Sequence, residues 1–87
     1  MEELVSNLKE LTETHGPSGS EDRVRDLLID DIRNYCDELY VDKRGNLVAV
    51  LKGKKQNRKV LVEAHIDEVG LVVEHIDDKG LISFEKI

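Results

Sequence analysis

Residues 60–68 read Val60-Leu61-Val62-Glu63-Ala64-His65-Ile66-Asp67-Glu68, an apolar segment that ends in a histidine and two acidic residues. A short apolar run of this length predicts a β-strand. Because strand side chains alternate between two faces, His65 and Asp67 are predicted to leave the same face of that strand. A carboxylate beside an imidazole fixes the tautomer and orientation of the ring, which both a metal site and a general-base site need. The pair is therefore a candidate corner of such a site, although two side chains do not complete one.

Two amphipathic helices are predicted before any strand. In residues 3–13 three leucines recur at a spacing that places them on one helix face, and a turn-rich loop follows at residues 14–20. Ser18 and Glu21, three residues apart, predict a capping box at the start of a second helix over residues 20–36. Its apolar stripe comprises Val24, Leu27, Leu28, Ile32 and Tyr35.

Five strands are predicted after the helices. They cover residues 38–42, 47–51, 60–68, 69–76 and 81–87. Glycine-containing turns at residues 43–46 and 77–80 and a basic loop at residues 53–58 connect them, and loops this short favour antiparallel neighbours. The predicted fold class is α/β, with two N-terminal helices and then a mainly antiparallel set of strands.

A second His-x-Asp motif stands ten residues after the first, at His75 and Asp77. It runs directly into turn residues, so Asp77 is predicted to accept hydrogen bonds from backbone amides of the turn. His75 is predicted to be an exposed strand residue. His65 follows a hydrophobic strand, and strand ends are where ligands and catalytic groups collect in α/β sheets. The first motif is therefore the better candidate for chemistry.

Composition narrows the class of partner. The 87 residues carry 13 basic and 19 acidic side chains, which gives a formal net charge of −6, and this balance argues against nucleic acid and anionic membrane surfaces as partners. Cys36 stands alone, so an internal disulfide is excluded. The sequence contains neither a transmembrane segment nor a signal peptide, and a reduced cytoplasmic setting is expected.

The chain resembles the N-terminal portion of the tetrahedral metalloaminopeptidases, also called deblocking or glutamyl aminopeptidases and sometimes labelled cellulases or endoglucanases. Three blocks in order carry this resemblance. They are Leu8-Lys9-Glu10-Leu11-Thr12-Glu13 leading to Gly16-Pro17-Ser18-Gly19, then Val41-Asp42-Lys43-Arg44-Gly45-Asn46-Leu47, and then Ala64-His65-Ile66-Asp67-Glu68-Val69-Gly70 followed by His75-Ile76-Asp77.

The resemblance implies the start of a two-metal aminopeptidase fold of the phosphorylase/hydrolase-like type. Residues 1–68 would belong to the catalytic α/β domain, and residues 69–87 would begin an inserted β-rich domain. By the same resemblance, His65 would ligate a metal ion and Asp67 would be the catalytic acidic neighbour that orients it. The complete enzyme would hold two divalent ions, zinc or cobalt, and would hydrolyse N-terminal residues from peptides as a homo-oligomer.

A complete member of the family would also supply a bridging aspartate, an adjacent pair of glutamates, a further acidic ligand and a second histidine. None of these can be assigned in the 87 residues. Catalytic zinc generally takes three protein ligands. We therefore expect the isolated chain to be an inactive fragment that binds no metal ion tightly, with the missing C-terminal portion or further copies as its partners.

Two other interpretations remain open. The chain could be a non-catalytic binding or assembly module that uses exposed apolar strands to join a partner or itself. It could also be part of a glycosidase, with Glu63 and Asp67 as a carboxylate pair on one strand face. The position of His65 beside both carboxylates favours metal chemistry over the glycosidase.

Overall fold

The computed structural model describes residues 1–55 and 57–87, so residue 56 of the predicted basic loop lies outside the described residues. Two helices precede two antiparallel hairpins, which confirms the α/β class and the order of helices before strands. The elements are α1 (Glu2–Glu13), α2 (Asp22–Ile32), a 3₁₀ turn (Arg33–Tyr35), β1 (Glu38–Val41), β2 (Leu47–Val50), β3 (Leu71–Ile76) and β4 (Ile82–Lys86).

The two hairpins close through the same turn. In the β1–β2 hairpin the Asp42 carboxylate accepts hydrogen bonds from the backbone amides of Arg44 and Asn46, both at 2.9 Å. In the β3–β4 hairpin Asp77 accepts from the amides of Lys79 and Leu81 at the same distance. A glycine with positive φ completes each turn, at φ 89° in the first and 81° in the second. The predicted turn role of Asp77 is confirmed.

The start of α2 differs from the predicted capping box. Glu21 is the N-cap residue, and no side chain caps the first turn of the helix. The Glu21 carboxylate instead accepts a hydrogen bond from the backbone amide of Gly19 at 2.6 Å. The α-helix ends at Ile32 rather than at residue 36, because the chain tightens into the 3₁₀ turn. Tyr35, predicted on the apolar stripe, is 78% exposed.

The predicted strand over residues 60–68 is wrong for the residues that the structure describes. A strand needs a neighbour to which its backbone can bond. Within residues 1–55 and 57–87, β1 pairs with β2 and β3 pairs with β4, while residues 60–67 join no ladder. Glu68 alone forms a parallel bridge, with Pro17. The part of the chain that the structure describes therefore contains four strands rather than five.

Side-chain burial is concentrated where α2 meets the loop before it. Among the described residues, only Gly16 and Val24 are buried, and 4% of the surface of Val24 is exposed to solvent. The predicted apolar face of α1 is largely open, since Leu4 and Leu8 are 64% and 59% exposed. The chain is elongated, with extents of 64 × 33 × 17 Å and a radius of gyration of 17.7 Å.

The β3–β4 hairpin carries an uncovered apolar face. Val73 pairs with Phe84 and Ile76 with Ile82, with an irregularity at Glu74. Cross-strand partners and residues two apart share a face, so Leu71 joins these four side chains on one side of the hairpin. All five are between 54% and 59% exposed. His75, on the strand between them, is also exposed, as predicted.

Candidate metal centre

The His65 and Asp67 side chains meet although no regular strand holds them. The Nδ1 atom of His65 lies 2.9 Å from Oδ1 of Asp67 and 3.0 Å from the backbone carbonyl oxygen of Asp67. The predicted proximity of imidazole and carboxylate is therefore confirmed as a contact. The His65 side chain is 83% exposed and that of Asp67 is 40% exposed, so the pair lies at the surface of the described residues.

These contacts determine the tautomer of the neutral ring. A backbone carbonyl oxygen and an ionised carboxylate oxygen can only accept hydrogen bonds, so Nδ1 of His65 must be the donor. In the neutral imidazole, Nε2 then keeps its lone pair. This is the arrangement of a carboxylate–histidine–metal unit, in which the carboxylate holds one ring nitrogen and a metal ion takes the other.

The pair lines a wide groove of about 1240 Å³ that is open to solvent. Helix α2 forms one wall, the β1–β2 turn forms another, and residues 61–68 form the third. Pockets for small ligands commonly enclose about 300 to 1000 Å³ and surround their ligand. This groove is larger than such pockets and open to solvent. It therefore resembles a surface that another part of a protein would cover more than a closed binding pocket.

The donor set fits only one corner of a metal centre. Within residues 1–55 and 57–87, no three His, Cys, Asp or Glu side chains are grouped closely enough to hold an ion. A catalytic zinc ion requires about three protein ligands. His65 offers one nitrogen donor with its orientation fixed, and Asp67 offers the carboxylate that fixes it, so this pair alone does not form a metal-binding site.

Two contacts between residues that line the groove were not predicted. The Gly16 carbonyl accepts a hydrogen bond from the amide of Glu68 at 2.9 Å, which ties the loop before α2 to the segment that carries His65. The Arg25 guanidinium donates from Nε to the carbonyl of Gly45 at 2.9 Å, which ties α2 to the β1–β2 turn. The repeated glycines and the single proline of residues 16–19 were the available signal for the first contact.

Comparison with known proteins identifies the family. Residues 45–87, which include His65 and Asp67, match the family described as M42 glutamyl aminopeptidase. The chain is 42% identical over 76 residues to a lysyl aminopeptidase of Pyrococcus furiosus, covering 86% of this chain and 21% of that protein.

Solved structures agree with the sequence match. An aminopeptidase from the archaeon Desulfurococcus kamchatkensis superposes with a TM-score of 0.88 at 40% identity, covering 94% of this chain and 23% of that one. An endoglucanase from Thermotoga maritima superposes with a TM-score of 0.84 at 46% identity, covering 91% of this chain and 25% of that one.

An α/β chain with a histidine held by a carboxylate is thus similar in sequence and fold to hydrolases of known structure. It belongs to the M42 glutamyl aminopeptidase family. The chain spans about a quarter of the length of these relatives. Among the described residues, no helix is both long and apolar enough to cross a membrane.

Proposed function

We propose that this chain provides the His65 corner of a metal-dependent aminopeptidase that removes N-terminal residues from peptides. The observation that carries the proposal is the double contact of Nδ1 of His65 with Asp67, which leaves Nε2 as the metal-binding nitrogen. Asp67 would hold the ring in this tautomer and orientation. The aminopeptidase names of the relatives supply the reaction class.

A pair of divalent ions, when bound, would supply an activated water and a Lewis acid for attack on the peptide carbonyl. The residues of this chain would contribute orientation. Asp67 would restrict rotation of the imidazole, and His65 would present one neutral nitrogen. Zinc and cobalt both accept such a nitrogen donor, so either ion would fit this corner of the site.

The test is a chimera in which this chain replaces its aligned segment in the Desulfurococcus kamchatkensis aminopeptidase. We expect the chimera to hydrolyse an amino-acid amide and His65→Ala to abolish that hydrolysis. Asp67→Asn should lower kcat/KM by about 10- to 100-fold, the usual cost of losing a residue that orients a metal ligand. His75→Ala is the matched control, since His75 stands in the second His-x-Asp motif. Full activity of the His65→Ala chimera would remove His65 from the mechanism.

The 87-residue chain alone should bind metal ions weakly, because one fixed nitrogen donor is too few. Calorimetric titration with zinc and with cobalt should show no submicromolar site. Tight binding of two ions, or hydrolysis of peptides by the purified chain, would contradict the proposed division of the site.

Other properties of the proposed enzyme follow the family resemblance. We propose that residues 1–68 belong to the catalytic domain, that residues 69–87 begin an inserted domain, and that the protein works in the cytoplasm as a homo-oligomer. With this division, the apolar face of the β3–β4 hairpin would belong to the inserted domain.

A second candidate function is assembly without catalysis. It is supported by the apolar face of the β3–β4 hairpin, whose five large side chains are more than half exposed. Sedimentation should show self-association that Phe84→Glu abolishes and Ser83→Glu, on the opposite face, does not. A monomeric chain at all concentrations would exclude self-assembly through this face.

The glycosidase interpretation is not favoured. A retaining or inverting glycosidase needs two carboxylates free to act on opposite sides of a sugar ring. The Asp67 carboxylate is instead engaged by the imidazole of His65 at 2.9 Å. The endoglucanase name belongs to the Thermotoga maritima protein. Release of reducing sugar from carboxymethylcellulose by the chimera would reverse this preference.

A further inference from the structure

The loop between α1 and α2 is held in one conformation by its own contacts. The Pro17 carbonyl accepts a hydrogen bond from the amide of Ser20 at 2.9 Å, and Gly19 takes a φ of 86°. Gly16 lies against the first turn of α2, where an added Cβ atom would stand 2.9 Å from Cγ1 of Val24. That distance is shorter than van der Waals contact allows, so only glycine permits this approach.

The same loop touches the segment that follows Asp67. Glu68 donates its amide hydrogen to the Gly16 carbonyl at 2.9 Å and forms a parallel bridge with Pro17. Two residues later, a Cβ atom added to Gly70 would stand 2.8 Å from Cβ of Pro17. The φ of Gly70 is not positive, so it is this close approach that requires glycine there.

The Gly16–Glu68 hydrogen bond and the Pro17–Glu68 bridge, together called the tether, hold the residue that follows Asp67 in the chain. Within the described residues, residues 60–67 take part in no strand ladder. Asp67, whose carboxylate and carbonyl hold the imidazole, adjoins Glu68 in the chain. Fixing the Glu68 amide therefore restricts the backbone that carries both oxygen atoms contacting Nδ1.

We infer that Gly16, Pro17 and Gly70 are positioning residues for the candidate metal ligand, acting through the Glu68 amide on the His65–Asp67 contact. A metal centre gains affinity when its ligands are held in place by neighbouring residues before the ion binds. This inference rests on the proposed metal role of His65 for its consequence, while its geometry can be tested without a metal ion.

The test is a steric double-mutant cycle in the 87-residue chain. Gly70→Ala creates the contact with Cβ of Pro17, and Pro17→Gly removes that atom, leaving the nearest atom, Cδ1 of Ile87, at an ordinary 3.7 Å. Gly53→Ala is the matched control, because its nearest atom is 3.9 Å away and its φ is not positive. The Pro17→Gly chain is the reference for the double variant.

Two readouts by nuclear magnetic resonance follow the contact. The first is hydrogen exchange of the Glu68 amide, with the Asp37 amide, bonded to Val50 at 2.8 Å, as an internal reference. The second is the pair of His65 ring nitrogen shifts at one fixed alkaline pH. These shifts report the tautomer, which a general effect on folding would not change selectively.

In the wild-type background, Gly70→Ala should raise the exchange of Glu68 relative to Asp37 by about tenfold and move the His65 shifts toward a mixture of tautomers. In the Pro17→Gly background the same substitution should change exchange by less than about twofold. Equal effects in both backgrounds, no effect of Gly70→Ala, or an equal rise at Asp37 would each overturn the inference.

A cobalt titration of the chimera carrying the same substitutions separates this inference from the proposed function. If the wild-type chimera binds cobalt and Gly70→Ala weakens that binding while His75→Ala does not, both stand. If the resonance results hold but His65→Ala leaves cobalt binding by the chimera unchanged, the positioning contact is real and the metal role of His65 is wrong.

Discussion

Urea should unfold the 87-residue chain with a shallow transition, because folding removes unusually little surface from water. A globular protein of 9.9 kDa would expose about 5200 Å², against about 14,400 Å² for its unfolded chain. The folded chain exposes 8259 Å². It therefore buries about 6100 Å² on folding, or about two-thirds of the globular value. Since the urea m-value is proportional to the surface exposed on unfolding, we expect about two-thirds of the usual m-value for this size.

The assay is urea titration followed by far-ultraviolet circular dichroism, with sedimentation at the same concentration to establish a monomer. Tyrosine fluorescence provides a second probe, with Tyr35 in the 3₁₀ turn after α2 and Tyr40 in β1. A monomeric chain with a steep transition and the m-value of an ordinary 87-residue domain would refute the reasoning. Such a result would require a more compact arrangement of α1, residues 60–67 and the β3–β4 hairpin than the one described.

Three further predictions concern single side chains. Arg25→Met should lower the free energy of unfolding by about 2 kcal/mol, the usual value of a hydrogen bond from a charged donor, because it removes the bond to the carbonyl of the β1–β2 turn. Asp22→Asn, which removes only the ion pair of Arg25 with a carboxylate that is 87% exposed, should cost under about 0.5 kcal/mol. Val24→Ala should cost about 2 kcal/mol by urea titration, because it removes two methyl groups from the buried apolar side chain. Hydrogen bonds from the side chain and backbone of Asn46 hold the pKa of Asp42 below its ordinary 3.8, so its contribution to stability is complete above that value and disappears as the pH falls through the lowered pKa.

Each of these predictions has a result that would contradict it. Equal losses in Arg25→Met and Asp22→Asn would assign the stabilisation to the ion pair instead of the turn contact. A loss below about 0.5 kcal/mol in Val24→Ala would mean that the helix does not depend on its buried residue. For Asp42, urea midpoints of wild type and Asp42→Asn should differ above pH 4 and converge below it, with Asp78→Asn, an exposed turn carboxylate, as the control. A constant difference across that range would exclude the carboxylate.

Local interactions explain what the sequence predicted well. Both helices were predicted from apolar residues at the helical period, and both hairpin turns were predicted from the glycines that they contain. In each case the residues that decide the structure are within a few positions of one another. The contact of His65 with Asp67 is local in the same sense, but it was predicted from the alternation of a strand that these residues do not form.

Non-local interactions explain the errors. The apolar pattern of residues 60–68 favours an extended conformation, but a strand also needs a partner, and nothing in the local pattern specifies one. The capping box is the exception, because its error is local: the Glu21 carboxylate accepts a hydrogen bond from the amide of Gly19, two residues earlier. The tether between Gly16 and Glu68 joins residues 52 positions apart and shows in the sequence only as a loop rich in glycine.

In the proposed aminopeptidase, the exposure of residues 60–62 and the lack of further metal ligands would have the same cause. Val60, Leu61 and Val62 are between 85% and 88% exposed. Because these apolar side chains stay in water, their burial contributes almost nothing to the free energy that would order this segment. Apolar residues on both faces are typical of a strand covered from two sides. In the proposed aminopeptidase, the polypeptide that supplies the remaining ligands would also have to cover this segment, since the segment and His65 line the same groove. Burial of residues 60–62 and completion of the metal site would then be one event, and the tether at Glu68 would hold His65 in place until it occurs.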